Sequence, residues 1–312
     1  MWKNHLKLAW RGLWKSPLFT VLNAAGLAIG PAVSLMLYLD VRHELSFNAY
    51  HANAGHIYRV VLNTFWDPER PEMLANAPNG VGPAAKAGIP GVEQYARLLK
   101  HEFGGSAFVQ VGDNRLVEEN LYWADPGLVH LFDIPVLAGD LEAALSQPNA
   151  LALSRTAAAR YFGEKDPIGQ VVRIDRMEPL EVRAVYEDLP SNSTLDAAVL
   201  GAFSSVVWAN RELTWSNASF ETWLLLNPSA QREDVTRRLT SLLDANVPKE
   251  WQWYSMWLQP LEHVHLYSSD MRSNSSRVGD ARQVWMLGAL AVAVLLIACI
   301  NYMNLATERA QL

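Results

Sequence analysis

The chain has 312 residues, half of them apolar, with 19% charged residues, 12 Trp and a single Cys. That is enough for one large domain or two small ones, and it is not a disordered composition. One cysteine excludes a disulfide framework and a Cys-based zinc cluster, and 26 basic against 32 acidic residues, net −6, argue against a nucleic-acid partner.

The charge is uneven along the chain. Residues 1–16 hold Lys3, Lys7, Arg11 and Lys15 on one helical face, with Trp2, Leu6, Trp10, Leu13 and Trp14 on another. This predicts an amphipathic interfacial helix over 1–16, its cations on anionic lipid headgroups and its indoles at the acyl boundary. Residues 17–39 then run without a charge, roughly 30 Å as a helix, one hydrocarbon thickness. Pro31 lies inside this first span and is expected to kink it. A signal peptide is the competing reading, but the apolar run is too long and Asp40-Val41-Arg42-His43-Glu44 is a poor cleavage site.

A mixed α/β region follows over 44–282. Ile57–Thr64 is β-branched and aromatic and reads as a strand. Pro83–Ala87 reads as a short helix ended by the turn Gly88-Ile89-Pro90-Gly91, and strands are expected at Val92–Lys100, Ala107–Val111 and across Arg115–Ala124. Pro126–Phe132 is a helical turn. Leu151–Leu153 is a buried strand, after which Ser154 caps a helix through Phe162 and Gly163 takes the C′ position. Gly169–Ile174 and Leu180–Tyr186 form a strand pair, and 188–192 is a turn-rich boundary. Ala230–Val247 is amphipathic, with Val235, Leu239, Leu242 and Leu243 on one face. Trp251, Trp253 and Trp257 alternate with Gln252, Tyr254, Met256 and Leu258 at the period of a strand. The Trp row is read as core, with an apolar or sugar ligand as the alternative. Residues 268–280 read as a polar linker, and 284–302 as a second uncharged span containing Cys299.

Chemistry-bearing motifs are sparse. No GxxxxGK[ST] or GxSxG run is present. His43-Glu44 begins like a zincin motif, but the position four after His43 is Phe47. His51 and His56 are five apart and point in different directions on a helix. His263 and His265 are placed on one strand face, a weak two-ligand metal site. Glu118-Glu119 and Glu187-Asp188 are read as solvated acidic pairs. Asn192, Asn217 and Asn274 match the glycosylation acceptor pattern, which fits an extracytoplasmic surface. No catalytic, cofactor-binding or metal-binding residue is assigned. Topology therefore carries the functional reading. The basic N-terminus stays in the cytoplasm, two spans return the C-terminus there, and 44–282 lies outside.

The ordered motifs resemble a known family. Asn4-His5-Leu6-Lys7-Leu8-Ala9-Trp10-Arg11-Gly12-Leu13 and Asn23-Ala24-Ala25-Gly26-Leu27-Ala28-Ile29-Gly30 are similar to the leading helix and first membrane helix of MacB-type ABC transporter permeases, the FtsX-like permease superfamily. Glu44-Leu45-Ser46-Phe47, His51 and Ile57-Tyr58-Arg59-Val60 resemble its stretch just outside the membrane. Leu153-Ser154, Tyr161-Phe162-Gly163, Asp166-Pro167-Ile168-Gly169 and Asp188-Leu189-Pro190 resemble its periplasmic core. Leu258-Gln259-Pro260-Leu261, His265-Leu266 and Cys299 to Thr307 resemble the return to the second helix and its cytoplasmic exit.

The resemblance implies an α+β fold: two transmembrane helices flanking a mixed α/β extracytoplasmic domain of two subdomains, one built from both ends of the region and one inserted. It implies a non-enzymatic transport subunit without a cofactor, in the inner (plasma) membrane, its large domain in the periplasm if the cell is Gram-negative. Its partners would be an ABC ATPase, a second permease copy, a periplasmic adaptor and membrane lipid. Family permeases continue with a coupling segment and further membrane helices, so 303–312 is read as the start of that segment, and autonomous transport is not expected. Two other readings compete. A two-span sensor needs a cytoplasmic output domain after its second span, and an anchored hydrolase needs a catalytic constellation.

Overall fold

A computed structural model of the chain describes residues 17–67 and 69–310. The helix expected over 1–16 lies outside the described residues. The chain divides into two units, residues 46–279 and a unit made of the segments before and after them.

Helix α1 (Pro17–Leu45) comes first. The domain then runs through β1 (Ile57–Thr64), β2 (Met73–Leu74), β3 (Ala77–Pro78), α2 (Val81–Gly88), β4 (Val92–Lys100), β5 (Ala107–Val111), β6 (Asn114–Glu118) and β7 (Leu121–Ala124). Next come α3 (Leu128–Leu131), β8 (Val136–Gly139), α4 (Leu141–Ser146), β9 (Ala150–Ser154), α5 (Arg155–Phe162), β10 (Val171–Ile174), β11 (Leu180–Tyr186) and β12 (Val199–Ala202). It closes with β13 (Ala218–Leu226), α6 (Arg232–Asn246), β14 (Tyr254–Pro260) and α7 (Leu261–Val264), before α8 (Ala281–Ala310).

The strands form one sheet in the order β14-β1-β13-β4-β7-β12-β9-β11-β10-β5-β6, with β2, β3 and β8 added to β1, β13 and β11. The β7–β12 and β9–β11 pairs are parallel. One core, including Val60, Val81, Leu224, Leu239 and Tyr254, draws on the two ends of the region. Another, including Leu99, Val109, Trp123, Leu153 and Phe220, is built from its middle. The sheet runs through the strands of both cores, and residues 46–279 form one compact unit. A third core, including Ile57, Leu98, Phe132, Tyr186 and Trp223, lies against the same strands.

Local chemistry explains the elements. β1 is buried on both faces, which suits its nearly continuous apolar run. Ser154 Oγ accepts from Ala157 N–H and caps α5 as its sequence predicts. Gly163 ends that helix at φ 63°, but its ψ of −123° is the glycine-only extended region, not the left-handed helix. α6 buries Val235, Leu239 and Leu243.

Three expectations change. The stretch 115–124 is broken at residues 119–120 into β6 and β7. β12 and β13 were not expected as strands, although β13 (ASFETWLLL) lies between β1 and β4 and is buried over seven residues. The period-two reading of 251–258 holds over 254–258, the start of β14, while Trp251 ends a single helical turn, and the face that is buried is the other one. Tyr254, Met256 and Leu258 point into the core, Trp253 and Trp257 are half-buried, and Trp251 is 74% exposed. Val235, Leu239 and Leu243 of α6 share a core with Tyr254, Met256 and Leu258.

In the other unit, Gly26, Gly30 and Ser34 lie one turn apart along α1. A Cβ on Gly26 would come 3.1 Å from Asn301 Nδ2, and one on Gly30 2.8 Å from Ala298 Cβ. Ser34 Oγ donates to Ala291 O at 2.9 Å. Partners that run backwards along α8 make the pair antiparallel, and the small residues let the backbones approach closely. The segments Ala25–Leu45 and Ala281–Met303, with mean hydropathies of 1.3 and 2.4, are long and apolar enough to cross a membrane.

Gly201 on β12 lies opposite Trp123 on β7, and an added Cβ would come 2.4 Å from the indole, which is only 1% exposed. Gly201→Ala is therefore expected to destabilise the domain by about 1–3 kcal/mol through overpacking. Gly55→Ala, with open space around it, is the neutral control. Thermal unfolding of the purified chain checks both.

Candidate functional site

One part of the domain's polar interior lies where the chain enters it (46–56) and leaves it (260–279), with Asn48, His51, His265 and Ser268 buried there. A loop from the middle of the sequence, 190–196, lies between these two segments. Asn48 is fully buried, and its backbone is left-handed at φ 61°, a conformation asparagine tolerates better than most residues. Its N–H donates to Asn192 O at 2.9 Å. Its side-chain Nδ2 donates to Leu261 O at 3.2 Å, and its Oδ1 accepts from Thr194 N and Oγ1 at 3.0 and 3.1 Å. Asn192 Nδ2 in turn donates to Ser46 O and Oγ. One asparagine thus ties the incoming segment to both the loop and the outgoing segment.

The outgoing segment is tied back in the same way. The His265 ring stacks on Phe47, with centroids 3.3 Å apart and planes 1° from parallel. His265 Nδ1–H donates to Arg277 O at 3.1 Å, because a carbonyl only accepts. Arg277 Nε donates to Asp196 Oδ2 at 3.0 Å, Nη1 to Ser191 O at 3.1 Å, and its backbone N–H to Thr194 O at 2.9 Å. Gly279 N–H closes on His265 O at 2.9 Å.

A charged cluster fastens the same segment to the sheet. Arg59, at the centre of β1, is fully buried and faces Gln259 of β14 and Trp223 of β13. Its Nη2 donates to Gln259 Oε1 and Ser268 Oγ, both at 2.8 Å, and its Nη1 to Asn274 Oδ1 at 2.9 Å. Glu221 on β13 lies 3.7 Å from Nη1 and accepts from Ser275 N and Ser276 Oγ at 2.7 and 3.1 Å. Desolvation pulls the Arg59 pKa below its ordinary value, opposed by the Glu221 charge. Residues 268–280 are therefore not a free linker. Ser268, Asn274, Ser275 and Ser276 are the hydrogen-bonding shell of a buried ion pair. The signal for this was the arginine inside an otherwise apolar strand (IYRVVLNT), since a charge buried there must be paired.

The other residues singled out by sequence lie apart. His263 and His265 are on or next to the helical turn α7, not on a strand, and His265 is fully engaged at the junction. His43 and Glu44 end α1, and Phe47 is the stacking partner of His265. His56 ends a single helical turn and is half-buried. Glu118 is not solvated. It is 3% exposed and accepts from Tyr161 Oη at 2.8 Å and Asn120 N at 2.9 Å, with Arg160 alongside, while Glu119 is exposed. Asp188 accepts from Thr156 N and Oγ1, and Glu187 pairs with Arg155. Asn274 faces the interior, on Arg59.

His51 lies beside the junction. It is buried against Phe132, and its Nδ1 accepts from Asp133 N–H at 3.4 Å. Desolvation outweighs the Asp133 charge and lowers its pKa from 6.5 to about 4.

Two predictions follow from these groups. Arg59→Ala leaves Glu221 buried without its cation and is expected to cost about 3–5 kcal/mol. Arg59→Met combined with Glu221→Gln should recover most of that, as read from thermal unfolding. The folded state disfavours the His51 cation, so its contribution is complete above pH 6.5 and declines as pH falls towards about 4. His51→Phe should flatten unfolding midpoints measured between those pH values.

Comparison with known proteins bears on this architecture. The family description "MacB-like periplasmic core domain" matches residues 20–242. A domain of a putative permease protein from Porphyromonas gingivalis has the same fold, with a TM-score of 0.58 at 22% identity over 76% of this chain and 98% of that one. Weaker likenesses, both with a TM-score of 0.46, are the periplasmic region of MacB from Actinobacillus actinomycetemcomitans and the extracellular domain of the noncanonic ABC-type transporter YknZ from Gram-positive bacteria. The first is 12% identical over 66% of this chain and 90% of its own; the second is 15% identical over 65% and 99%. No curated protein matches significantly. With 223 of its 312 residues inside the match, the chain belongs to the MacB-like periplasmic core domain family of ABC transporter permeases.

Proposed function

We propose that the chain is a permease subunit, or the N-terminal part of one, in which ATP hydrolysis by a separate ABC ATPase moves a periplasmic domain for efflux or mechanotransmission. In this reading residues 17–39 and 284–302 span the inner membrane and 44–282 stand in the periplasm. The basic flank before the first span keeps both termini cytoplasmic. The partners are the ATPase, a second permease copy, an adaptor on the periplasmic domain and lipid.

The junction is the observation that supports this most. A sensor domain needs its two connections to respond to a ligand. A force-transmitting domain needs them to move its bulk as one body. Here both connections are held in a single network through Asn48, Thr194, His265 and Arg277. Close-packed, hydrogen-bonded segments pass displacement on with little internal yielding. An unstructured linker absorbs it.

The test co-expresses the native-length gene product with ABC ATPases of the same genome. Co-purification is expected, and lack of association in every nucleotide state refutes the reading. His265→Leu removes the stack and one hydrogen bond of the junction. In reconstituted vesicles it is expected to leave ATP hydrolysis in place while transport is lost.

A further inference from the structure

A cavity of about 850 Å³ opens beside the β5–β6 hairpin, within the volume range of small-molecule sites. Three observations single it out.

The first is its floor. The Trp123 indole, buried on β7, donates Nε1–H to His101 Nδ1 at 3.1 Å. An indole nitrogen only donates, so His101 Nδ1 carries no proton. The ring proton is therefore on Nε2, which lies 2.6 Å from Asp175 Oδ2. The histidine in this arrangement is neutral, and the Asp175 charge is not cancelled by it. Asp175 Oδ1 also accepts from Phe108 N–H at 2.9 Å. The other charged groups of the lining, Glu102 and Glu178 against Arg176 and Arg211, balance in sign, so Asp175 leaves the cavity with a net negative charge.

The second is its walls. Phe103, Phe108 and Trp208 line it while 65%, 69% and 45% exposed. Phe108 lies directly opposite Val117 of β6, which is also exposed. Large apolar side chains held open together around a polar floor mark a binding surface.

The third is strain. Among the described residues, six that are not glycine have a left-handed φ, and four of them, Glu102, Phe103, Asn149 and Asp175, line this one cavity. Asn and Asp adopt this conformation readily, so the cost, about 1–3 kcal/mol each, falls on Glu102 and Phe103, and such strain gathers at functional sites. Here it holds Phe103 at the cavity against the local preference of the backbone.

We propose that this cavity binds a hydrophobic organic cation, its apolar body against Phe108 and Trp208 and its charge beside Asp175. Aromatic faces and a carboxylate are the two groups that attract such a cation. A neutral or anionic ligand of the same size gains only the first. Binding needs no ATPase, so it is tested separately from transport.

The chain in nanodiscs of zwitterionic lipid is titrated with rhodamine 6G, a hydrophobic cation, against empty nanodiscs as the blank. N-phenyl-1-naphthylamine is the uncharged comparator and 1-anilinonaphthalene-8-sulfonate the anionic one. Rhodamine 6G is expected to saturate one site, and the anion to bind at least about tenfold more weakly. Phe108→Ser and Trp208→Ala alter exposed side chains and should weaken the cation and the neutral probe alike. Trp251→Ala, an exposed indole outside the cavity, should weaken neither. Asp175→Asn should weaken rhodamine 6G at least about tenfold and spare the neutral probe. Unsaturable binding, or affinity unchanged in Phe108→Ser and Trp208→Ala, overturns the site. Equal binding of cation and anion to the unmodified chain overturns the charge preference, whether or not Asp175→Asn folds.

Discussion

Asn48 uses both the oxygen and the nitrogen of its side-chain amide on other parts of the chain. A residue at the mouth of the domain holds the segment that leaves it and the loop that separates the two. Each of these bonds is buried, so losing one leaves a polar group without water or a partner, which costs more than the bond itself contributes. The arrangement therefore behaves as all or none: the incoming segment, the 190–196 loop and the outgoing segment hold together or separate together. The stack of His265 on Phe47 and the fork of Arg277 on Asp196 act across the same gap. The segments that enter and leave the domain are thereby tied to each other and, through Arg59, to the sheet.

The Arg59–Glu221 pair extends that constraint into the sheet. A buried ion pair is weak evidence of stability, since apolar residues of the same shape often do as well. Its value here is positional. The guanidinium has donors for Gln259, Ser268 and Asn274 at once, and the carboxylate has acceptors for Ser275 and Ser276. An apolar replacement would fill the space but would not specify where residues 268–276 run. The ion pair places a loop rich in serine and asparagine, which has little apolar surface of its own to bury.

The sequence shows this fold where local chemistry and burial agree. β1, the cap at Ser154 and the apolar face of α6 follow from side-chain type and spacing alone. It misleads where tertiary contacts decide. The alternation over 251–258 announces a strand, but only the packing against α6 selects Tyr254, Met256 and Leu258 over the tryptophans. Glu118 looks like half of a solvated acidic pair, and only the approach of Tyr161 from α5, 43 residues away, makes it a buried acceptor. The junction is least legible of all. Asn48, Thr194 and Arg277 are ordinary polar residues in ordinary turns, and their role comes from a meeting of three segments that no local pattern encodes. Arg59 alone gave notice, as a charge in a strand with no polar face.

Backbone strain supplies a measure that no single contact does. Among the described residues, the left-handed positions other than glycine fall in two places: Asn48 and Ser273 in the segments that enter and leave the domain, and Glu102, Phe103, Asn149 and Asp175 around the aromatic cavity. Strained residues persist only where their surroundings over-determine them. At the junction the surroundings are hydrogen bonds between chain segments, which hold a connection in place. At the cavity they are a buried indole and imidazole leading to the partly exposed Asp175 carboxylate, below exposed rings. A domain that only transmitted force would need the first of these and would gain nothing from the second. The separate cavity is the physical reason for proposing a chemical partner for this domain beside the mechanical role proposed for it.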